Sequence, residues 1–105
     1  MAMSQPMVRI RYCPRCRWLM RAGWMAQELL NSFEEHLSEV AIGPGEKGQF
    51  DIWLDDQLIW SRHEAGRFPE LREIKQKLRD LVDPERDLGH SDRPVVTDSQ
   101  AADPS

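Results

Sequence analysis

Apolar and polar residues alternate from Met7 to Tyr12, with Val8, Ile10 and Tyr12 on one face and Arg9 and Arg11 on the other. That period predicts a half-buried strand with one wet face. Leu19, Ala22, Ala26, Leu29, Leu30, Phe33 and Leu37 then recur at helical spacing, which predicts a helix over about 16–35 with these residues as its buried stripe. Gly23 lies inside it at a cost of about 1 kcal/mol against alanine, and is read as allowing close approach to the sheet. Leu37 to Ile42 reads as a second short strand, and Gly43-Pro44-Gly45-Glu46-Lys47-Gly48 as a loop. Gln49 to Leu54 alternates again, and Leu58 and Trp60 continue its pattern after Asp55-Asp56-Gln57. A three-residue connection sets Leu54 opposite Leu58 and Ile52 opposite Trp60, keeping Phe50 with them on one face and leaving Trp53 and Ile59 on the wet face, either as a dimer or partner patch or as ordinary exposed apolar surface. Phe68-Pro69 opens a last helix with Leu71, Ile74, Leu78 and Leu81 buried, and Asp83-Pro84 stops it.

The predicted order is β-α-β-β-β-α. The first three elements make a right-handed βαβ unit with parallel strands, and the hairpin adds antiparallel ones. Both helices then cover one face of a four-stranded mixed sheet, opposite the face that carries Arg9 and Arg11. This is an α/β (α+β) two-layer domain of the thioredoxin-like kind. Its topology brings 13–16, 43–48 and 62–69 to one end of the sheet. The domain is expected to span 1–83, with 84–105 a tail that is disordered from about Arg93, where Pro, Ser and Asp dominate.

With 105 residues, 40% of them hydrophobic and four of them tryptophan, the chain can build one small core but no deep cavity, so any site must be shallow. The net charge of −4 argues against nucleic acid as the main partner. Its distribution is uneven: five arginines against Glu28 give the first thirty residues +4, leaving −8 for the rest. The basic stretch either favours an anionic thiol such as glutathione or simply solvates the strand edge. Met1 to Tyr12 shows no basic n-region followed by an apolar run, and no stretch has the length of a membrane span, so the expected setting is cytoplasmic, without membrane.

Chemistry concentrates at Tyr12-Cys13-Pro14-Arg15-Cys16-Arg17, which holds the only two cysteines. C-x-x-C spacing in a chain without a leader points to a working dithiol rather than a structural staple. Both sulfurs are expected in the first turn of the helix, where the backbone N–H groups, the macrodipole, Arg15 and Arg17 favour thiolate and Pro14 stiffens the turn. In thioredoxin-like geometry the first cysteine lies nearest solvent, which makes Cys13 the expected nucleophile and Cys16 the resolving thiol. Pro44, His63 and Phe68 come to the same end. His63 is a candidate base or a solvated loop residue, and Pro44 sits where thioredoxin-like proteins commonly place a cis-proline, with trans as the default. Two other readings are a metal module and a redox-sensing adaptor. Zinc needs two further ligands, and His36, His63 and His90 show no paired spacing, so no metal or other cofactor is expected. An adaptor would use tryptophan surface such as Trp18 or Trp24, the other role for Trp18 being core packing. Expected partners are a thiol or disulfide substrate, glutathione or a redox protein among them, acting on a monomer or weak dimer.

The Tyr-Cys-x-x-Cys opening, Trp18-Leu19 with Gly23-Trp24-Met25-Ala26, the run from Gly43-Pro44 to Gly48-Gln49-Phe50, Ile59-Trp60 and Gly66-Arg67-Phe68-Pro69 together resemble the selenoprotein W/T/H, or Rdx, family. The match runs from about Val8 to Val82, and Pro84 to Asp92 is similar to a tail of bacterial members. The resemblance implies a thioredoxin-like fold and a thiol-based redox role, with glutathione or a partner protein. Cys16 stands where selenoprotein members carry selenocysteine, so for a peroxide reaction the resemblance implies the opposite order, attack from Cys16 with Cys13 resolving, while for disulfide exchange Cys13 stays the expected nucleophile.

Overall fold

The structure, a computed structural model, describes residues 5–89. Its elements are β1 (Met7–Tyr12), α1 (Leu19–Phe33), β2 (Glu39–Pro44), β3 (Phe50–Leu54), β4 (Gln57–Ser61), α2 (Arg62–Ala65) and α3 (Leu71–Val82). The sheet runs β2-β1-β3-β4, with β1 parallel to β2 and antiparallel to β3, and β3 antiparallel to β4. Alternation in β1 and β3 sends Val8, Ile10, Phe50, Ile52 and Leu54 into one core with α1 and α3, so both long helices cover the same face. The mixed sheet, the layer order and the thioredoxin-like arrangement are therefore as the pattern predicts. Each large apolar side chain fully buried there contributes roughly 1.5–3 kcal/mol.

Several local expectations need correction. The buried stripe of α1 is Ala22, Met25, Ala26, Leu29 and Phe33, while Leu19 and Leu30 are exposed. Leu19 and Leu30 are eleven residues apart, three turns, and lie together on one flank of the stripe. Gly23 does not approach the sheet, because a Cβ built on it would meet no atom within 4 Å. β2 begins two residues later than expected and includes Gly43 and Pro44, which an edge strand tolerates because one side of it needs no ladder donor. Leu37, outside the strand, still fills the core.

The hairpin connection is two residues, Asp55-Asp56, with Asp55 in the left-handed region at φ 51°. Leu54 pairs with Gln57 and Trp53 with Leu58. A bulge then shifts the register, so that Ile52 faces Trp60 as expected. The extra residue accommodated is Ile59, which is buried instead of wet. In α3 the first residue is Leu71, with Glu70 as its N-cap, and Leu81 is exposed. Between hairpin and α3 lies the one-turn α2, where the Ser61 hydroxyl accepts the Glu64 N–H at 3.4 Å and Gly66 ends the turn at φ 77°.

After α3 the chain turns back onto the domain. Arg86 donates to the Ser32 carbonyl and stacks on Phe33 with its guanidinium carbon 5.0 Å from the ring centroid, and Leu88 packs on the core. The segment expected to be disordered, from about Arg93, lies outside the described residues.

Gly23 thus carries the cost of a mid-helix glycine with no steric need for it inside the fold. Gly23→Ala is expected to raise the unfolding free energy by about 0.5–1 kcal/mol in urea titration; a loss of stability would show that the fold itself requires the glycine.

Candidate redox site

The last residue of β1 is tied down on one side of the turn. Tyr12 pairs with Pro44, and its carbonyl accepts the Gly45 N–H at 2.7 Å. Cys13 follows at 0% exposure, whereas Cys16 is only half-buried. The two form a disulfide with their Cα atoms 5.3 Å apart, inside the span that a bridge requires.

The turn is not part of a helix, which corrects the expectation that both sulfurs lie in a first helical turn. The Arg17 N–H donates to the Pro14 carbonyl at 3.1 Å, and Arg17 adopts φ 66°. A left-handed residue other than glycine costs about 1 kcal/mol and reverses the chain, so α1 waits until Leu19, with Trp18 as its N-cap. The field on the sulfurs therefore comes from the turn's own backbone: the Cys16 N–H donates to Cys13 Sγ at 3.1 Å. The exposure order is also the reverse of the one on which Cys13 was expected to attack.

Beyond the turn, Trp18 is held by aromatic contact. Its ring meets Phe68 edge to face at 4.7 Å and Phe50 at 6.5 Å, and Phe50 meets Phe68 at 5.3 Å. Such pairs add about 0.5–1.5 kcal/mol each beyond the area they bury. Two cations close the cluster: the guanidinium of Arg21 stands 3.9 Å from the Phe68 centroid, and that of Arg62 4.9 Å from Trp18 and 5.3 Å from Phe68. Arg62 also donates to the Gly48 carbonyl at 3.4 Å, which ties the glycine loop to the same cluster.

A shallow cleft of about 190 Å³ opens beside the disulfide, lined by Cys13, Pro14, Arg15, Gly45 and Lys47. Gly45 has little freedom to change, since a Cβ there would collide with the Gln49 carboxamide, which is itself fixed by the Glu46 N–H at 2.7 Å. Of the residues expected at the site, Pro14 and Arg15 line the cleft, Arg17 is exposed at the turn's end, and Phe68 lies in the aromatic cluster. Pro44 and His63 are not brought into it; both line a broad groove over the open sheet face with Arg9, Arg11 and Asp51. No peptide bond among the described residues is cis, so Pro44 is trans. Among the described residues no group of three His, Cys, Asp or Glu side chains gathers with metal-binding geometry. Sequence reasoning named the 43–48 loop but not Lys47 and Gly45 within it, and it missed Arg21 and Arg62.

The segment that carries Phe68 is clamped from below. Arg67 makes two hydrogen bonds to the Glu73 carboxylate, at 2.9 and 2.7 Å, and Glu73 also accepts the Glu70 N–H at 2.8 Å. Chiefly through the Arg67 hydrogen bond, the Glu73 carboxyl is lowered from its ordinary 4.5 to about 2.

A thioredoxin-like layer pair with a C-x-x-C disulfide at the end of a central strand is the frame of a thiol-based redox protein. The chain belongs to the Rdx family, whose model matches residues 7–80. It is similar to a selenoprotein W-related protein from Vibrio cholerae, at 40% identity and TM-score 0.73 over 76% of this chain and 100% of that one. It is also similar to a protein from Bordetella parapertussis, at 47% identity and TM-score 0.71 over 73% of this chain and 98% of that one. Comparison with curated proteins finds no match.

Because the folded Glu73 value lies below the unfolded one, its contribution is fully present above pH 4.5 and is lost as pH falls toward about 2. Urea titrations across that window should show stability declining, and Glu73→Gln should flatten this part of the decline; an unchanged slope would remove the clamp from the account.

Proposed function

We propose that the chain is a thiol–disulfide oxidoreductase in which Cys16 meets the partner's sulfur and Cys13 is the leaving and resolving sulfur. The observation that carries this is the asymmetry of the pair: Cys13 is wholly buried and receives the Cys16 N–H at 3.1 Å, while Cys16 reaches the surface. An incoming thiolate attacks Cys16 Sγ, a partner–Cys16 bond forms, the Cys13–Cys16 bond breaks, and Cys13 departs as a thiolate met by that N–H. In the opposite direction the Cys16 thiolate attacks a partner disulfide and Cys13 resolves the adduct. This order replaces the expected one, in which Cys13 attacks.

Glutathione is a small thiol that fits this exchange, because Arg15, next in sequence to Cys16, and Lys47 across the cleft supply cations for its carboxylates while its sulfur meets Cys16. A reducing cytoplasm supplies that thiol and keeps the pair in turnover. No helix among the described residues is long and apolar enough to cross a membrane.

Single cysteine variants distinguish the roles. Cys13→Ser is expected to trap a mixed disulfide through Cys16 when mixed with oxidised glutathione, while Cys16→Ser forms its adduct on the order of tenfold more slowly, as followed by mass spectrometry. Faster modification of Cys13 would exchange the roles but leave the redox reading standing. Two free thiols after mild oxidation of the unmutated chain would sink it.

A further inference from the structure

The first two turns of α1 carry apolar surface that the fold does not use. Met20 is 84% exposed, Leu19 52% and Trp24 49%. Scattered exposed apolar residues are ordinary, but these three are neighbours on one helix face and begin three residues after Cys16. Among them lies Gly23, above which there is open space. The glycine makes a notch in the helix surface, one turn from both Leu19 and Met20. Trp18, fixed to Phe68, holds the start of this face still relative to the disulfide.

Charge around the patch has one sign. Arg15, Arg17 and Arg21 are exposed, no acidic residue occurs before Glu28, and Glu28 is engaged by Lys75 at 3.3 Å. No ion pair among the described residues involves these three arginines. A second copy seated face to face would set arginine against arginine, so the field favours an acidic occupant.

Deepening the exchange reading on which it rests, we infer that the face of Leu19, Met20, Gly23 and Trp24 docks a partner polypeptide whose reacting cysteine is flanked by acidic residues. An apolar side chain of that polypeptide, about three residues from its cysteine, fills the notch over Gly23. The first thiolate of the partner attacks Cys16 Sγ and releases the Cys13 thiolate. The partner's second thiolate then attacks the partner sulfur of the mixed disulfide and releases Cys16. Two electrons pass from the partner's dithiol to the chain's disulfide, and the two protons lost by the partner are taken up by Cys13 and Cys16.

The test uses the oxidised full chain and short single-cysteine peptides: one with acidic flanks and a leucine three residues from the cysteine, one with lysine flanks, and one with serine for the leucine. Each rate of reaction at Cys16 is normalised to the same peptide's rate with a neutral model disulfide, which removes differences in thiol pKa, and 2-mercaptoethanol reports the chemistry alone. The acidic, leucine-bearing peptide is expected to react about tenfold faster than the lysine peptide, less so at high salt. It should also outpace the serine peptide. Gly23→Ala and Trp24→Ser should each abolish most of that preference, and because Gly23→Ala strengthens the helix, its effect cannot come from unfolding. Equal normalised rates, or a preference that both variants retain, overturn the proposal. So does a dimer seen by sedimentation and lost in Trp24→Ser, which gives the face to a second copy, or binding to phosphatidylglycerol vesicles lost in that variant, which gives it to a membrane. If 2-mercaptoethanol also leaves the disulfide intact, the exchange reading fails first and takes the docking with it.

Discussion

Trp18 standing edge-on to Phe68 at 4.7 Å decides the shape of the redox end. A C-x-x-C segment inside a helix is held by the helix ladder, but here the four residues from Pro14 to Arg17 form a turn crossed by only two backbone bonds, the Arg17 N–H to the Pro14 carbonyl at 3.1 Å and the longer Trp18 N–H to the Cys13 carbonyl at 3.5 Å. Such a turn keeps its geometry only if both ends are clamped. Upstream, β1 is paired on both sides and fixes Cys13. Downstream, Trp18 is fixed through Phe68 and Phe50, and Arg62 carries the restraint on to the loop at Gly48. The cluster therefore joins three segments of distant sequence, and the cleft beside Cys13 inherits its shape from them.

Long-period features were legible in the sequence, and short-range ones were not. Alternation in β1 and β3 and the helical repeats of α1 and α3 are each reinforced over several residues, so element order, sheet composition and the helix-covered face followed from them. The end of the sheet that gathers the turn, the glycine loop and the segment before α3 followed from topology. The misses share a scale of one or two residues. A left-handed Arg17 delays α1, and a bulge buries Ile59 while restoring the Ile52–Trp60 pair. Both are tertiary decisions: Arg17 adopts its conformation because Cys13 and Trp18 are held where they are, and no propensity at residue 17 announces that. His63 shows the same limit, since nearness in topology to the active end did not bring it into the cleft.

Under the exchange proposed for this pair, two sulfurs of the same element differ in role because their surroundings differ. Burial withholds Cys13 from an incoming thiolate, and the Cys16 N–H offers the departing Cys13 sulfur a partner. The better leaving group in thiol exchange is the sulfur whose thiolate is more stable, so position supplies a direction that chemical identity does not. Arg15 and Lys47 line the cleft beside the same sulfur.

The two faces of α1 answer to different demands. On the inner face Ala22, Met25, Ala26, Leu29 and Phe33 match the core, and local preference agrees with tertiary need. On the outer face the agreement fails: glycine weakens the helix at position 23 without any close approach to justify it, and Met20 and Trp24 expose apolar area that a polar residue would leave solvated. Conflict between local preference and the fold collects at functional sites, because the fold alone would remove it. Here the conflict, at Met20, Gly23 and Trp24, follows Cys16 closely in sequence, amid arginines that form no ion pairs among the described residues. That placement connects the helix's outer face to the disulfide rather than to the core beneath it.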